Sequence, residues 1–485
     1  MWLLAAIVGA WVVWFATSNG VGVSRDSITY LRGAEHIAQG EGYVGVGDNG
    51  RFGPVNHWPP LYSMTIALPI AAGKSTTDAA RLVNALALFV LLYASALLAR
   101  RLAPDATVAP ILVMLAILVA PTILRSYIMA WSEAIFLPLV VAGFVKVHDY
   151  FARDRPRDLA AAGACFGLAA IDRYSGVAFI AGLTIALVVR GLKTRGPYRF
   201  VRPLLFIVVA GLPMAAWVAR NMMVAAQAHD RPFSPHLPSA NHVRALFDSL
   251  SLWLLPPSVP FRLRLLGLFL TMALLAVVLR RVRVKHDAGV VAGGLERVGV
   301  FWVVAGLCVA VYLAFVLVTI SFFDFDVNYD TRMMSPVLVL TIIFIATAGR
   351  AVWARPLSMA VKFLSALMVA ATLLVAGHSA DLVRAAHDEP AQYASDRWAH
   401  ARAWEVVASA PADVPVYASS PYVSAHFVER DVLPLTDAAP SGGGYVLFYP
   451  NLEGAGSTLD PETRSLLNAE TVDSSETVIL YRIEP

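Results

Sequence analysis

The sequence predicts an all-α polytopic membrane protein with about eleven transmembrane helices, interfacial helices in its first outer loop and a small C-terminal extracytoplasmic α/β domain. Three observations predict it. Of 485 residues, 58% are hydrophobic and 15% charged, and the mean hydropathy is +0.63; a soluble chain has an apolar share nearer one half. The apolar residues gather in runs close to the roughly 20 residues that a helix needs to cross a bilayer. From about residue 390 onward the composition turns polar, with short strand-like runs.

Taken in order, the apolar runs lie near 2–18, 80–100, 106–125, 133–151, 159–172, 174–190, 203–223, 263–280, 299–320, 333–349 and 357–377. No positive charge precedes the first run, so it reads as an uncleaved anchor and not as a cleaved signal peptide. The fifth and sixth runs are short and meet at 172–176, and a single broken pair is the alternative reading there. Segments 26–39 and 59–72 read as helices lying along the membrane interface. The C-terminal part shows a helical pattern at 389–409, strand-like runs at 414–418, 445–449 and 478–483, and a turn-like insert at 441–444.

Lys and Arg collect on the cytoplasmic side of a membrane protein. Arg100, Arg101, Arg153, Arg155, Arg157, Arg190, Lys193, Arg195, Arg199, Arg202, Arg280, Arg281, Arg283, Lys285, Arg350 and Arg355 fall in alternate loops. The expected topology therefore has a cytoplasmic N-terminus, a membrane domain over 1–377 with its first outer loop at 19–79, and an extracytoplasmic domain over 378–485. The same clustering explains the net charge of +4 as membrane orientation and speaks against nucleic acid. The two cysteines, Cys165 and Cys308, lie inside apolar runs and read as packing residues.

The polar residues at the outer ends of the runs are where chemistry is expected, because a charge near lipid costs a few kcal/mol, about 2.5–3.5 at a helix centre. Asp26 follows the first run; its carboxylate suits a general base or a metal ligand, and equally an N-cap. Glu133 opens the fourth run, as a partner in an acidic site or as a carboxylate on the helix dipole. The loop at 324–332 holds Asp324, Asp326 and Asp330 ahead of Arg332, which suits a lipid phosphate; snorkelling is its plainer role, and the acids lack the spacing of an EF-hand. Arg173 with Tyr174, and Arg220 with Asn221, place cations at run ends where they balance a phosphate or anchor the topology. His57 and Trp58 suit stacking on a sugar, although aromatic residues at this depth commonly form the interfacial belt.

No phosphate-cradling Gly-rich loop, zinc-type His/Glu motif or nucleophile elbow is present, so a nucleotide-driven pump, a membrane zinc protease or a lipase has no support in the sequence. A transporter or lipid flippase is the main rival class; charges within the spans and matching halves would be expected for it, and the sequence has no such internal symmetry. A non-catalytic scaffold presenting the C-terminal domain would leave Asp26, Glu133 and Arg332 without a role.

Several motifs recur in a fixed order: Asp26-Ser27-Ile28-Thr29-Tyr30, Gly40-Glu41-Gly42-Tyr43, His57-Trp58-Pro59-Pro60-Leu61-Tyr62, Ala80-Arg81-Leu82, Ser132-Glu133, Asp172-Arg173-Tyr174-Ser175-Gly176, Trp217 with Arg220-Asn221, and Arg332-Met333-Met334-Ser335-Pro336. Together they resemble the GT-C superfamily of polytopic glycosyltransferases, which includes protein O-mannosyltransferases and lipid A aminoarabinose transferases. The resemblance implies an enzyme of the plasma membrane that transfers a sugar from a polyprenyl-phosphate carrier to a lipid, glycan or protein acceptor, usually with inversion. It also implies Asp26 as base, Glu133 as supporting acid, and Arg332 as partner of the leaving phosphate. Ser27 stands where many members carry a second acid, and Met333 where an aromatic residue often follows the Arg. A divalent cation is therefore left open.

Overall fold

A chain segment in lipid has to satisfy its own backbone hydrogen bonds, so each apolar run becomes a helix. The structure is a computed structural model that describes residues 1–47, 51–193, 199–225, 233–287, 294–325, 327–348, 359–435, 443–450, 452 and 458–483. Arg195, Asp326, Arg350, Arg355 and part of the 441–444 turn lie outside these residues.

Helix α1 (Trp2–Ala16) leads to α2 (Arg25–Gln39), a small antiparallel hairpin of β1 (Val44–Val46) and β2 (Phe52–Pro54), then α3 (Leu61–Ala71) and α4 (Thr76–Leu102). Next come α5 (Ala109–Leu118), α6 (Pro121–Ile128), α7 (Glu133–Arg153), α8 (Pro156–Asp172), a 3-10 turn (Tyr174–Gly176) and α9 (Val177–Lys193). The long helices continue with α10 (Val201–Ala225), α11 (Ala240–Leu252), α12 (Phe261–Asp287), α13 (Gly294–Phe322), α14 (Ser335–Ala348) and α15 (Met359–Asp388). The remainder holds α16 (Asp396–Ala399), α17 (Ala403–Ser409), β3 (Val416–Ala418), α18 (Pro421–Phe427), β4 (Leu433–Pro434), β5 (Gly444–Phe448), α19 (Pro461–Leu466), β6 (Ala469–Ser474) and β7 (Ile479–Ile483).

Among the described residues each of the eleven expected runs falls on helix, the third of them on the pair α5 and α6. By length and composition, however, 6 helices among the described residues can cross a membrane alone, or 7 if α5 and α6, bent by 62° at Pro121, are one span. The shortfall is partly one of length: α1, α8 and α14 have 15, 17 and 14 residues, against about 20 for a perpendicular span. Four details differ from expectation. The last long helix ends at Asp388, past 377, and stops where Pro390 disfavours helix in the residue before it. The helix expected over 389–409 is broken into α16 and α17. The 224–262 connection contains α11, opened by a Ser239 capping box. At 172–176 two separate helices meet through the 3-10 turn.

The chain forms two compact units. One comprises 1–16, 84–127 and 132–384; the other comprises 17–83, 128–131 and 385–485. In the first, α8 packs against both α7 and α10, and α13 against α9. Aromatic side chains fill its centre: Phe136, Phe144, Phe166, Phe179, Phe206 and Phe301 are all buried. Small residues bring the backbones together, as expected where lipid supplies no hydrophobic drive between helices. A Cβ added to Gly167 would stand 2.7 Å from the Ala210 carbonyl oxygen, and one on Gly182 2.7 Å from the Cα of Cys308. Cys308, fully buried, is thus a packing residue. Gly167→Val is expected to destabilise the protein by about 1–3 kcal/mol through this overlap, seen as a lower thermal midpoint in detergent, whereas Gly211→Val, with open space around it, should leave the midpoint nearly unchanged.

Two charge clusters mark opposite ends of α7. At its last turn Arg101 holds Asp149 at 2.6 Å, and Arg190 and Arg202 flank Asp154 at 3.4 and 3.6 Å. These arginines are among those the loop pattern assigned to one side. Glu133 is the first residue of α7, about 30 Å away along the helix at 1.5 Å per residue.

In the second unit a five-stranded sheet has the order β4-β3-β5-β7-β6, with β3 parallel to β4 and β5, and β7 antiparallel to β5 and β6. Successive residues point to opposite faces, and both faces are covered. Val416, Leu447 and Leu480 pack with Trp398, Trp404 and Tyr449 on one side; Val446, Ile479 and Tyr481 pack with Leu459 and Leu467 on the other. The expected α/β architecture is present, with β4 and β6 as additional strands.

Candidate functional site

The site residues divide between the two units. In the first unit, Glu133 is 1% exposed, and a carboxylate buried this far demands cationic partners. It has two. Arg173 Nη1 lies 2.7 Å from Oε1, and Arg332 reaches the same carboxylate in a forked contact, Nε to Oε1 at 2.9 Å and Nη2 to Oε2 at 3.3 Å. The three come from the start of α7, the break after α8 and the loop before α14, so the cluster is built where helices end. Arg173 also donates to Ser132 Oγ at 3.1 Å and to Met333 Sδ at 3.3 Å. Met333, which stands in place of an aromatic residue, therefore helps to hold Arg173. Tyr312 OH donates to the Met333 carbonyl at 2.7 Å, and the Met333 N–H donates to Asp330 Oδ1 at 2.8 Å, which fixes the loop carrying Arg332.

Asp172, one residue before Arg173, is fully buried, and neither of its carboxylate oxygens has a hydrogen-bond partner; the hydroxyl of buried Tyr127 is likewise unpaired. The sequence reading named Asp172 only within its motif. An acid closing an apolar helix was the signal that could have singled it out.

Tyr174 and Arg220 form a neighbouring group. Trp217 Nε1 donates to Tyr174 OH at 3.0 Å, the Arg220 guanidinium lies 5.1 Å from the Trp217 ring centroid, and Arg220 Nη1 donates to Asn221 Oδ1 at 3.0 Å. Asn221 is fully buried.

Asp26, His57 and Trp58 belong to the second unit. The approach to Asp26 is pinned to two distant segments: Gly22 N–H donates to the Ile128 carbonyl at 3.0 Å, Val23 N–H to the Ala391 carbonyl at 3.1 Å, and Tyr393 N–H to the Val23 carbonyl at 3.0 Å. The N-cap of α2 is Ser24, not Asp26. Its N–H donates to Ser27 Oγ at 3.0 Å, and its own Oγ accepts from Trp131 Nε1 at 2.8 Å. The cap is supplied by Ser24 and Ser27, and Asp26 lies in the first turn of α2. Ser27, fully buried, takes a structural part in the capping box.

Aromatic residues surround this helix start. His57 and Trp58 have ring centroids 4.2 Å apart, Tyr422 meets Trp58 edge-on at 6.5 Å, and the Arg25 guanidinium lies 4.6 Å from the Tyr422 centroid. Tyr422 gave no sequence signal, since it lies nearly 400 residues further along the chain. Among the described residues no three His, Cys, Asp or Glu side chains come together to hold a metal ion.

This bundle of helices broken at the charged ends, followed by a small mixed-sheet domain, has the GT-C fold of the polytopic glycosyltransferases. It is similar to ArnT, an aminoarabinose transferase, from Cupriavidus metallidurans bound to undecaprenyl phosphate, with a TM-score of 0.61 and 13% identity over 99% of this chain and 98% of ArnT. The apo state of the same protein gives a TM-score of 0.59 at 13% identity over 99% and 97%. The arabinofuranosyltransferase AftD from Mycobacteria gives 0.57 at 14% identity, over 100% of this chain but 40% of AftD. No family model and no curated protein sequence matches the chain. At such identities the likeness is one of fold.

In the second unit, His426 of α18 is held down to a pKa of about 4, first by burial and then by the Arg32 guanidinium, with Glu35 opposing. The imidazole is thus neutral in the fold, while an unfolded histidine takes up a proton near pH 6.5. Because the unfolded chain binds more protons between these values, stability is full above about pH 6.5 and falls as pH drops toward 4. Thermal midpoints at pH 7, 6 and 5 should decline for the wild type and decline less for His426→Gln; parallel declines would assign the effect to other groups.

Proposed function

We propose that this chain is a glycosyltransferase that moves a sugar from a polyprenyl-phosphate donor to an acceptor hydroxyl at the non-cytoplasmic face of the plasma membrane, with inversion at the anomeric carbon. The observation that carries this reading is the buried Glu133 carboxylate gripped by Arg173 and Arg332, in a fold shared with a protein bound to undecaprenyl phosphate.

In such a transfer the acceptor oxygen bonds to the anomeric carbon as the bond from that carbon to the phosphate oxygen breaks. The electron pair leaves on the phosphate, and the hydroxyl proton passes to a base. Negative charge therefore grows on the phosphate, and a cation already in place stabilises it without reorganising at the moment of reaction. Glu133 supplies that preorganisation: it fixes the guanidinium of Arg332 in a forked contact, and the geometry that grips a carboxylate also suits a phosphate. In this reading Arg332 and Arg173 meet the leaving phosphate, Asp26 accepts the proton, and His57, Trp58, Tyr174 and Arg220 line donor or acceptor. Ordering of the arginines by Glu133 supports it.

The test is transfer by the purified protein in nanodiscs, with synthetic polyprenyl-phosphate sugars as donors and a membrane extract supplying lipid, glycan and protein acceptors. Product formation with the anomeric configuration reversed, read by proton NMR, is the expected result. Retention would replace the single displacement with a two-step mechanism, and no transfer from any donor would favour a transporter.

A further inference from the structure

On α2, away from Asp26, the second unit forms a half-open cavity of about 270 Å³ lined by residues of segments 17–83 and 385–485. We propose that this cavity binds a single uncharged saccharide ring, as a site separate from the reacting centre, and that the ring is a distal residue of an oligosaccharide acceptor. The last clause rests on the proposed function; the binding site itself does not.

Size sets the first limit. At about 30 Å³ per water, the cavity holds roughly nine waters, space for one furanose or pyranose and its hydroxyls but not for a polyprenyl chain. The lining sets the chemistry. Arg32 Nη1 donates to Glu35 Oε2 at 2.9 Å, Arg32 Nη2 to the His426 carbonyl at 3.2 Å, and Thr76 Oγ1 to Glu35 Oε1 at 2.7 Å. A carboxylate and a guanidinium held side by side offer acceptors and donors at the spacing of vicinal hydroxyls, already locked before a ligand arrives. Tyr393 and Phe427 supply aromatic surface in the same wall, as sugar faces require. Arg32 is matched by Glu35 and is also reached by Glu429 at 3.0 Å, and His426 is neutral, so no net positive charge is left to attract a phosphate or carboxylate.

Position separates this cavity from Asp26. Arg32 and Glu35 follow Asp26 on one helix by six and nine residues, which is about 9 and 14 Å along the axis and, at 100° per residue, about 120° and 180° around it. A ring bound there does not present its hydroxyl to Asp26; it belongs to a sugar further along the same acceptor chain.

The experiment is saturation-transfer NMR on the full chain in nanodiscs, with methyl glycosides of arabinose, mannose, galactose and glucose as probes. At least one should receive saturation from the wild type, bind at least ten-fold more weakly to Glu35→Gln, and bind unchanged to Asp26→Asn. Ala399→Trp, at an exposed lining residue outside the polar network, should abolish the signal by filling the cavity, and it replaces Glu35→Gln if that variant does not fold. No signal from any glycoside, a signal that survives both cavity variants, or one lost only in Asp26→Asn would overturn the proposal. Glycoside binding lost in the cavity variants while no donor supports transfer would keep this site and remove the proposed function. Transfer without glycoside binding would do the reverse.

Discussion

Glu133→Ala is expected to destabilise the protein by about 3–5 kcal/mol and to abolish sugar transfer. The carboxylate is 1% exposed, so removing it leaves Arg173 and Arg332 facing each other with their shared counter-charge gone, and an uncompensated buried charge costs that much. The cost comes from the cations left behind and not from the pair's net worth. Glu133→Ala combined with Arg332→Leu should therefore recover much of the lost stability by removing one of the two cations that shared the carboxylate. It should not recover transfer, because the cation that meets the leaving phosphate is absent. Unfolding in mixed micelles and transfer from a polyprenyl-phosphate sugar, measured on the same preparations, separate the two roles. A single variant as stable as the wild type would show that the arginines find other anions, and would remove Glu133 from the organisation of the site.

Asp26→Asn should reduce transfer by about 10²–10⁴-fold, the usual worth of a general base, with the thermal midpoint almost unchanged. The stability half follows from the helix start. Ser24 and Ser27 close the N-terminus of α2 between themselves, and the charge of Asp26 near the helix dipole is worth about 0.3–1 kcal/mol. The activity half follows from the chemistry: an amide of the same shape fills the position but does not take the acceptor's proton. Loss of activity should appear in kcat with little change in KM for the donor. Equal transfer by both proteins would take Asp26 out of the mechanism and direct attention to another carboxylate, with Asp172, buried and unpaired, the first to examine.

Much of the fold was legible in the sequence because lipid imposes a severe rule: a segment in the bilayer has to be long, apolar and helical. The helices from α4 to α10 appear where runs of apolar residues placed them. Elements outside that rule were harder to see. Strands β4 and β6 are short or largely exposed, and residues such as Leu433-Pro434 or Glu470 and Asp473 carry no alternation from which to read them. Helix α11, at 13 residues, is too short to show as a span, although its Ser239 cap is a local signal.

By itself the sequence determined that the chain needs a membrane, where its helices fall, and which acids and arginines stand at their ends, since hydropathy and charge are properties of composition along the chain. Only the tertiary structure decided which charges meet. Glu133 takes Arg173 from 40 residues away and Arg332 from 199 residues away, while Arg32 takes Glu35 from its own helix and Glu429 from 397 residues further on. The physical reason is that Coulomb energy depends on separation in space and on burial, and neither is written in the order of residues until the helices have packed.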